Sequence, residues 1–170
     1  MPELDGEIEA LIVAKAVNHG LPPEIVRAMV MQESGGNPWA FRYEPGFFRR
    51  YLEGKPLSYV PGGCSQESER MGRAMSYGLL QVMGETARCN GFRGWLPQLC
   101  DPEIGLTIGC LYLARLRDKF YATGGWTAVV RAYNGGPGHA FDPANTYPDK
   151  IRARCPGGVW PTTEASHAER

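Results

Sequence analysis

A glutamate at the end of an apolar helical pattern is the first candidate for chemistry in this sequence. Ile25, Val26, Met29, Val30 and Glu33 step by three and four residues, so the carboxylate falls on the apolar stripe of one helix. Burial on this stripe and the negative end of the helix dipole both disfavour ionisation, which predicts a raised pKa for Glu33. A neutral carboxyl in a cleft can act as a general acid near neutral pH. Taken alone, such a position more often holds a glutamate that turns out to solvent.

Three stretches downstream of Glu33-Ser34 form an ordered set with it. They are SYGLLQVM at residues 76–83, followed by Thr86-Ala87, then a stretch beginning DPEIG at residues 101–113, and AYNGGPG at residues 132–138. The set resembles the soluble lytic transglycosylases, relatives of goose-type lysozyme, whose pattern is Glu-Ser, then Gly-Leu-Met-Gln, then Ala-Tyr-Asn-Ala-Gly. Each motif alone is weak, but the resemblance runs in order over residues 21–138.

The resemblance implies a mainly α, lysozyme-like fold with a cleft that binds peptidoglycan. It also implies cleavage of the β-1,4 bond between N-acetylmuramic acid and N-acetylglucosamine. Glu33 matches the catalytic glutamate, which protonates the leaving oxygen and then acts as base on the muramoyl 6-hydroxyl, so that a 1,6-anhydro ring forms without water. The usual glycosidase scheme uses two carboxylates, and no second acid stands at a motif position here.

Four further positions match binding motifs of the family. Gln81 carries an amide that can both donate to and accept from sugar groups; the alternative is a glutamine on a helix surface. Met83 matches an apolar cleft position that could pack against a sugar face, and it fits the core equally well. Tyr133 offers a phenol near Glu33 or the N-acetyl group, and Asn134 braces the site or binds the acetamido group. The alternative for both is a buried Tyr-Asn pair that caps a helix.

Around the second motif the sequence departs from the family pattern. The family often has a serine nine residues before the motif glutamine, where this chain has Gly72, so Ser76 or a residue of an insertion is expected to substitute unless the contact is missing. Gly-Leu-Met-Gln has become Gly-Leu-Leu-Gln, a swap that conserves volume. The proline and glycine that usually follow are Gly84 and Glu85.

A long insertion at about residues 37–75 is the largest departure. Tyr43 in this insertion offers an aromatic face for sugar binding, and Glu44 offers a second carboxylate, which would favour hydrolysis over ring closure. An ion pair between Arg42 and Glu44 on the protein surface is an equally good interpretation. Excursions of this length in a compact domain are usually functional.

The elements that must position these residues are mainly helices. Apolar periodicity and Gly or Pro boundaries predict helices at residues 4–19, 21–34, 101–123, 124–134 and 147–155, with short ones within 47–54 and 75–92. Asp101 is expected to cap the clearest of them, with Glu103 in its first turn. The chain is interpreted as one catalytic domain over residues 1–160, with the insertion inside it and a flexible tail over residues 161–170.

Composition excludes several classes of function. The 170 residues are 43% hydrophobic and 21% charged, which is typical of a globular protein. Eighteen basic and eighteen acidic residues cancel, so no global field favours nucleic acid or anionic membranes, and no apolar run is long enough to span a bilayer. The histidines and cysteines lack metal-ligand spacing, so no metal or cofactor is expected. Cys89 and Cys100 flank a loop and either form a disulfide or stay reduced.

The expected partner is the glycan strand of peptidoglycan, bound by a monomer at the bacterial cell wall or in the periplasm. No signal peptide precedes the first predicted helix, which favours a phage-encoded lysin or a bacterial enzyme exported by another route. Two other functions stay open. One is a hydrolytic lysozyme or chitinase on the same fold, with Glu44 or Asp142 placing a water. The other is a cell-wall-binding virion module without catalysis.

Overall fold

The computed structural model describes residues 4–162, which are mainly helical. The α-helices are α1 Gly6–Asn18, α2 Pro23–Glu33, α3 Pro45–Phe47, α4 Gln66–Arg73, α5 Gly84–Cys89, α6 Pro102–Gly135 and α7 Tyr147–Arg152. A π-helical turn spans Phe48–Leu52, and 3-10 turns span Leu96–Cys100, Pro137–His139 and Pro156–Gly158. The strands are β1 Phe41–Tyr43, β2 Met75–Tyr77 and β3 Val82–Met83. The predicted tail at residues 161–170 lies outside the described residues from position 163 onward.

The chain falls into two compact units. The first unit combines the residues up to Gln32 with those from Cys110 onward, and the second unit is Glu33–Gly109. The insertion predicted at residues 37–75 lies entirely within the second unit. A single catalytic domain over residues 1–160 stays a prediction.

The two N-terminal helices begin and end at the positions that the sequence predicts. Asp5 accepts a hydrogen bond from the Glu7 amide (2.8 Å) and so caps α1, and Gly20, just after that helix, has a φ of 63°. α2 begins at Pro23, where the missing amide of proline is harmless because the first turn has no partner for it. The helices predicted here at residues 4–19 and 21–34 are thereby confirmed, within two residues at each end.

The long helix α6 contains both of the helices predicted for this part of the chain. Asp101 Oδ1 accepts a hydrogen bond from the Ile104 amide (3.0 Å), which confirms the predicted cap. Gly125 interrupts the helix with a φ of 57° and a ψ of −162°, a conformation that L-residues with a Cβ rarely adopt. The break therefore coincides with the predicted boundary between residues 123 and 124.

The insertion contains more regular structure than the sequence indicates. The short helix predicted within residues 47–54 is present as the π-helical turn Phe48–Leu52. The strand β1 and the helix α4 were not predicted. β1 pairs antiparallel with β2, and β2 pairs antiparallel with β3, in the order β1-β2-β3. The insertion thus contributes one of the two edge strands of a small sheet whose other two strands come from the second motif.

A buried cluster of charges ties α4 to α5. The carboxylate of Glu69 accepts from Arg73 Nε (2.8 Å) and from Arg88 Nε and Nη2 (2.7 and 3.0 Å), and all three side chains are at most 3% exposed. Arg73 also donates to Glu85 (3.1 Å) and to the carbonyl oxygen of Tyr59 (2.5 Å). Burial alone would raise the pKa of Glu69, but hydrogen bonds and charges from the two arginines outweigh it and lower the pKa below its ordinary value of 4.5.

The remaining donors of Arg88 hold the loop that follows α5. Its Nη1 donates to the carbonyl oxygens of Phe92 (2.9 Å) and Gly94 (2.8 Å), and its guanidinium lies 5.0 Å from the ring centroid of Tyr59. Buried charges are tolerated when their hydrogen bonds are satisfied in this way. The cluster therefore connects the insertion to the helix and loop that follow the second motif.

All five cysteines lie in the described part of the chain and are free thiols. A disulfide between Cys89 and Cys100, one of the two outcomes left open by the sequence, is absent. Burial raises the pKa of Cys110 to about 12 and that of Cys155 to about 11, whereas Cys89 is exposed.

No helix within residues 4–162 is long and apolar enough to cross a membrane.

Glu69→Gln is expected to lower the free energy of unfolding by about 3 kcal/mol at pH 7, because it leaves the buried Arg88 without its carboxylate partner and removes one of the two carboxylate partners of Arg73. The pKa of Glu69 is lower in the folded state, so its contribution is complete above pH 4.5 and is lost as the pH falls through the folded value. Urea unfolding measured at several pH values should show the difference from the unsubstituted protein narrowing toward acid. Glu67→Gln, on the exposed side of the same helix, is the matched control; equal effects of the two changes would contradict the role of the cluster.

Candidate functional site

Glu33 is the last residue of α2 and stands at the end of a buried stripe. Ile25, Val26, Met29 and Val30 have no exposed surface, and Glu33 itself is partly buried. The last turn of α2 carries no basic residue that would offset the partial negative charge of the helix end. The stripe that the sequence predicts is therefore confirmed, whereas the raised pKa of Glu33 stays a prediction.

The residue after Glu33 is fixed to the turn that joins β2 and β3. Ser34 Oγ donates a hydrogen bond to the carbonyl oxygen of Leu79 (2.9 Å) and accepts one from the amide of Gly36 (3.2 Å). Gly35 and Gly36 both have positive φ values, so the chain can turn sharply after the helix. The chain directly after Glu33 is thus positioned by the second motif, at the turn Gly78–Gln81.

Gln81 holds that turn in place. Its Nε2 donates to the carbonyl oxygens of Ala40 and Gly78, both at 3.0 Å, and its Oε1 accepts from Ser76 Oγ at 2.8 Å. Gln81 is the one non-glycine residue among those described with a positive φ, 47°. It lies in a turn and not on a helix surface, and both amide hydrogens are used. Only its side-chain carbonyl oxygen can still form a hydrogen bond with a ligand, as an acceptor.

Gly78 opens this turn and has no room for a side chain. Its φ is 70°, and a Cβ atom would overlap the carbonyl oxygen of Leu99. Its amide donates to the carbonyl oxygen of Ala40 (2.7 Å), the same atom that accepts from Gln81. Two motif residues therefore converge on one backbone carbonyl that immediately precedes β1.

Ser76 and Met83 share one face of the three-stranded sheet. Ser76 lies opposite Arg42 of β1 and opposite Met83 of β3, so these three residues form a row across the sheet, hereafter the Arg42–Ser76–Met83 row. Ser76 is 3% exposed and Met83 is partly buried. Tyr43 is next to Arg42 in the strand and therefore points to the opposite face, where its ring centroid is 6.2 Å from that of Phe48.

Packing explains why glycine occupies position 72. A Cβ atom there would lie 2.9 Å from Leu96 Cδ1 and 3.2 Å from the hydroxyl of Tyr77. The carbonyl oxygen of Gly72 accepts a hydrogen bond from that hydroxyl (3.0 Å). A serine at this position would not fit without displacing its neighbours, and the hydroxyl that reaches the motif glutamine comes from Ser76.

Glu44 forms the ion pair with Arg42 that the sequence allowed as an alternative. Its Oε1 lies 2.6 Å from Arg42 Nε, and the exposed fractions of the two side chains are 33% and 74%. Asp142, the other candidate for placing a water, accepts from the amide of Ala144 (3.0 Å) and lies 3.7 Å from His139 Nδ1. Both carboxylates are thus held by neighbours in their own units.

Tyr133 and Asn134 belong to the first unit, in the last turn of α6. Tyr133 is partly buried, and its ring centroid lies 5.4 Å from that of Tyr112. Asn134 is exposed, and its Oδ1 accepts a hydrogen bond from Asn145 Nδ2 (3.3 Å). Asn145 was not predicted as part of the site, although its own Oδ1 accepts from the Tyr147 amide (2.9 Å), an Asx-turn arrangement that the sequence Asn-Thr-Tyr allows.

The two units thus hold different parts of the predicted set. The second unit brings Glu33, Ser76, Gln81, Met83 and Glu44 onto the small sheet or beside it, whereas Tyr133 and Asn134 lie on the first unit. Within residues 4–162, no group of histidine, cysteine, aspartate and glutamate side chains could hold a metal ion. The second unit thus contains a partly buried carboxyl, an amide carbonyl and an apolar thioether, groups that are suited to acid–base work on a neutral polar substrate.

Comparisons with known proteins agree with the fold. The family model of the transglycosylase SLT domain matches residues 10–153. The chain is also similar to the lytic transglycosylase Slt from Pseudomonas aeruginosa, whose structure was solved as an inactive glutamate-to-glutamine mutant, with 22% identity and a TM-score of 0.50. That match covers 86% of this chain and 20% of the Pseudomonas chain, so this chain spans about a fifth of its length. No curated protein matches the sequence significantly. The predicted fold class, mainly α and lysozyme-like, is confirmed.

Gln81→Ala and Gln81→Gly both remove the three side-chain hydrogen bonds, so each is expected to lower the free energy of unfolding by about 2 kcal/mol or more. The glycine variant should be the more stable of the two by about 1 kcal/mol, because it also relieves the positive φ. Urea unfolding of both variants measures this difference. Ala10→Gly, at an exposed position inside α1, should be destabilising instead. A glycine variant no more stable than the alanine variant would show that the backbone at position 81 carries no strain.

Proposed function

Because the chain belongs to the transglycosylase SLT domain family, we propose that it is a peptidoglycan lytic transglycosylase. Its substrate is the β-1,4 bond between N-acetylmuramic acid and N-acetylglucosamine. The observation that carries the proposal is the placement of Glu33: a partly buried carboxyl ends a helix with a buried stripe, and the next residue is hydrogen bonded to the turn of the second motif.

Glu33 acts first as general acid. Its proton passes to the glycosidic oxygen as the bond from the muramoyl anomeric carbon to that oxygen breaks, so the N-acetylglucosamine side leaves as an alcohol. Partial burial and the carboxyl end of α2 both favour the neutral form that this step requires. The substrate's own acetamido group stabilises the positive charge that develops at the anomeric carbon.

Glu33 then acts as base in the second half of the reaction. The carboxylate takes the proton of the muramoyl 6-hydroxyl while its oxygen bonds to the anomeric carbon, which closes the 1,6-anhydro ring. The proton lost in the first step is recovered, and no water is consumed. One carboxyl group is sufficient for both steps, which agrees with the absence of a second acid at a motif position.

The remaining predicted residues bind and position the sugars. Gln81 offers its carbonyl oxygen to a sugar hydroxyl or amide, because its amide hydrogens are used by the protein. Ser76 orients that amide, and Met83 packs its thioether against a sugar face. In the first unit, Tyr133 and Asn134 bind the acetamido group, and the hydrogen bond from Asn145 fixes the orientation of the Asn134 side chain.

The wider setting follows from the substrate. The protein works on glycan strands at the bacterial cell wall, in a role such as that of a phage-encoded lysin or of an exported bacterial enzyme. We propose that residues 1–160 form the catalytic domain. Tyr43, which lies on the opposite sheet face from Ser76, contributes an exposed aromatic surface and not a direct contact with the bond that is cleaved.

Glu33→Gln is expected to lower the rate of cell-wall clearing by about 10²–10⁴-fold, because the amide can neither give nor take the proton. Turbidity of purified peptidoglycan measures the rate, and mass spectrometry of the products should show ends that are lighter by one water than hydrolysed ends. Thermal unfolding checks that the variant folds. Glu24→Gln in the first turn of the same helix is the matched control. Clearing by Glu33→Gln at the control rate would exclude this glutamate as the acid.

Glu44→Gln separates ring closure from hydrolysis. If Glu44 placed a water, its loss would reduce the rate by about 10²-fold or more and would change the products. We expect a reduction of no more than about tenfold with anhydro products retained, because Glu44 is paired with Arg42 and its removal affects binding alone. Mass spectra of the products of both proteins distinguish ring closure from hydrolysis. Hydrolysed ends from the unsubstituted protein would favour the lysozyme alternative.

A further inference from the structure

Arg42 lies on the sheet face that carries two of the predicted binding residues. It is the central residue of β1, in the row with Ser76 and Met83. Ser76 Oγ, which donates to Gln81, also contacts the carbonyl oxygen of Arg42 at 3.4 Å. The insertion therefore adds one long cationic side chain to the face that the second motif forms.

The guanidinium of Arg42 is held by a protein partner at Nε, whereas its two Nη atoms are available to a ligand. Its Nε donates to Glu44 Oε1 at 2.6 Å, and the side chain is 74% exposed. In the part of the chain that the structure describes, its Nη1 and Nη2 have no protein partner. Their N–H groups form a planar fork, the geometry that binds a carboxylate through two parallel hydrogen bonds. Glu44 thus fixes the orientation of the guanidinium and leaves its Nη1 and Nη2 available to bind an anion.

The net charge of the residues near Arg42 in the sequence favours binding of an anion at its Nη atoms. Between residues 41 and 55 the insertion carries Arg42, Arg49, Arg50 and Lys55 against Glu44 and Glu53, so it is net basic although the whole chain is neutral. Peptidoglycan carries carboxylates where chitin carries none: on the peptides attached to the lactyl group of muramic acid, or on the lactyl group itself where the peptide has been removed. A net basic segment beside the sugar-binding face therefore complements the charged substituents of the substrate and not its sugar rings.

We propose that Arg42 is a specificity residue that binds a carboxylate of the muramic acid substituent, either the lactyl carboxylate or one from the attached peptide. The proposal rests on the function proposed above, because it assumes that the small sheet contacts peptidoglycan. Arg42 then distinguishes muramic acid from N-acetylglucosamine, the sugar that lacks this substituent. Glu44 acts as its positioning residue by holding Nε.

The experiment compares three substrates. The first is glycan strands that carry peptides, the second is strands freed of peptides by an amidase, which exposes the lactyl carboxylate, and the third is the second after methyl esterification. KM and kcat are measured for the unsubstituted protein, Arg42→Ala and Arg42→Lys. Arg49→Ala removes the same charge from an exposed position of the same insertion and is the matched control.

Arg42→Ala is expected to raise KM by about tenfold on a carboxylate-bearing substrate and to leave kcat within about twofold, because the lost interaction binds the substrate and not the transition state. Arg42→Lys should recover part of the loss, since it keeps the charge but not the fork. An effect on peptide-bearing strands alone identifies a peptide carboxylate, and an effect on the amidase-treated strands alone identifies the lactyl carboxylate. An effect on both shows that the guanidinium of Arg42 binds either carboxylate. The effect should vanish on esterified strands.

Three results would overturn the proposal: equal KM values for Arg42→Ala and the unsubstituted protein on all substrates, an equal rise on esterified strands, or an equal rise with Arg49→Ala. Failure of the unsubstituted protein to cleave any of the three substrates would count against the proposed function instead. The two failures are therefore distinguishable.

Discussion

The second unit depends on the side chain of Gln81, which joins the second motif to a segment of the chain 41 residues earlier. Its side-chain Nε2 donates hydrogen bonds to the carbonyl oxygen of Ala40, just before β1, and to that of Gly78 at the start of the turn. Its Oε1 accepts one from the hydroxyl of Ser76 on β2. A positive φ at a glutamine is unfavourable by about 1–2 kcal/mol, and three hydrogen bonds with partly buried partners offset this. Ser34 is bonded to the same turn, so the chain directly after Glu33 depends on that turn as well.

The buried charges around Glu69 hold the insertion in one conformation. A buried carboxylate bonded to arginines adds little net stability compared with apolar packing, but loss of Glu69 would leave the buried Arg88 without a carboxylate partner. The arginines also bind backbone carbonyls of Tyr59, Phe92 and Gly94. The insertion is thereby held by directional hydrogen bonds within the second unit, which restrict its conformation more narrowly than apolar contacts alone would.

Periodicity and end signals predicted the helices because those signals are local. The glycine at position 20 and the cap at Asp101 can each be identified within one turn of chain, and the apolar stripe before Glu33 within three turns. The sheet could not be predicted, since strands of two or three residues are too short to show alternation. α4 was missed because its sequence QESERMGR is almost entirely polar, and what it buries is an ion pair, although Glu69 and Arg73 stand at i and i+4. The partners of Gln81 depend on a turn whose geometry the motif alone does not reveal.

The free cysteine thiols of the two units differ in their exposure and in their expected reactivity. Cys110 and Cys155 are buried, with pKa values of about 12 and 11, so near neutral pH almost none of either is the reactive thiolate. Both belong to the first unit, whereas the exposed Cys89 belongs to the second. An oxidant or alkylating reagent therefore reaches the exposed Cys89 and the partly exposed Cys64 of the second unit before it reaches the buried pair. Modification of the buried pair requires that their surroundings open, so the order in which the thiols are labelled is a record of local unfolding in the first unit.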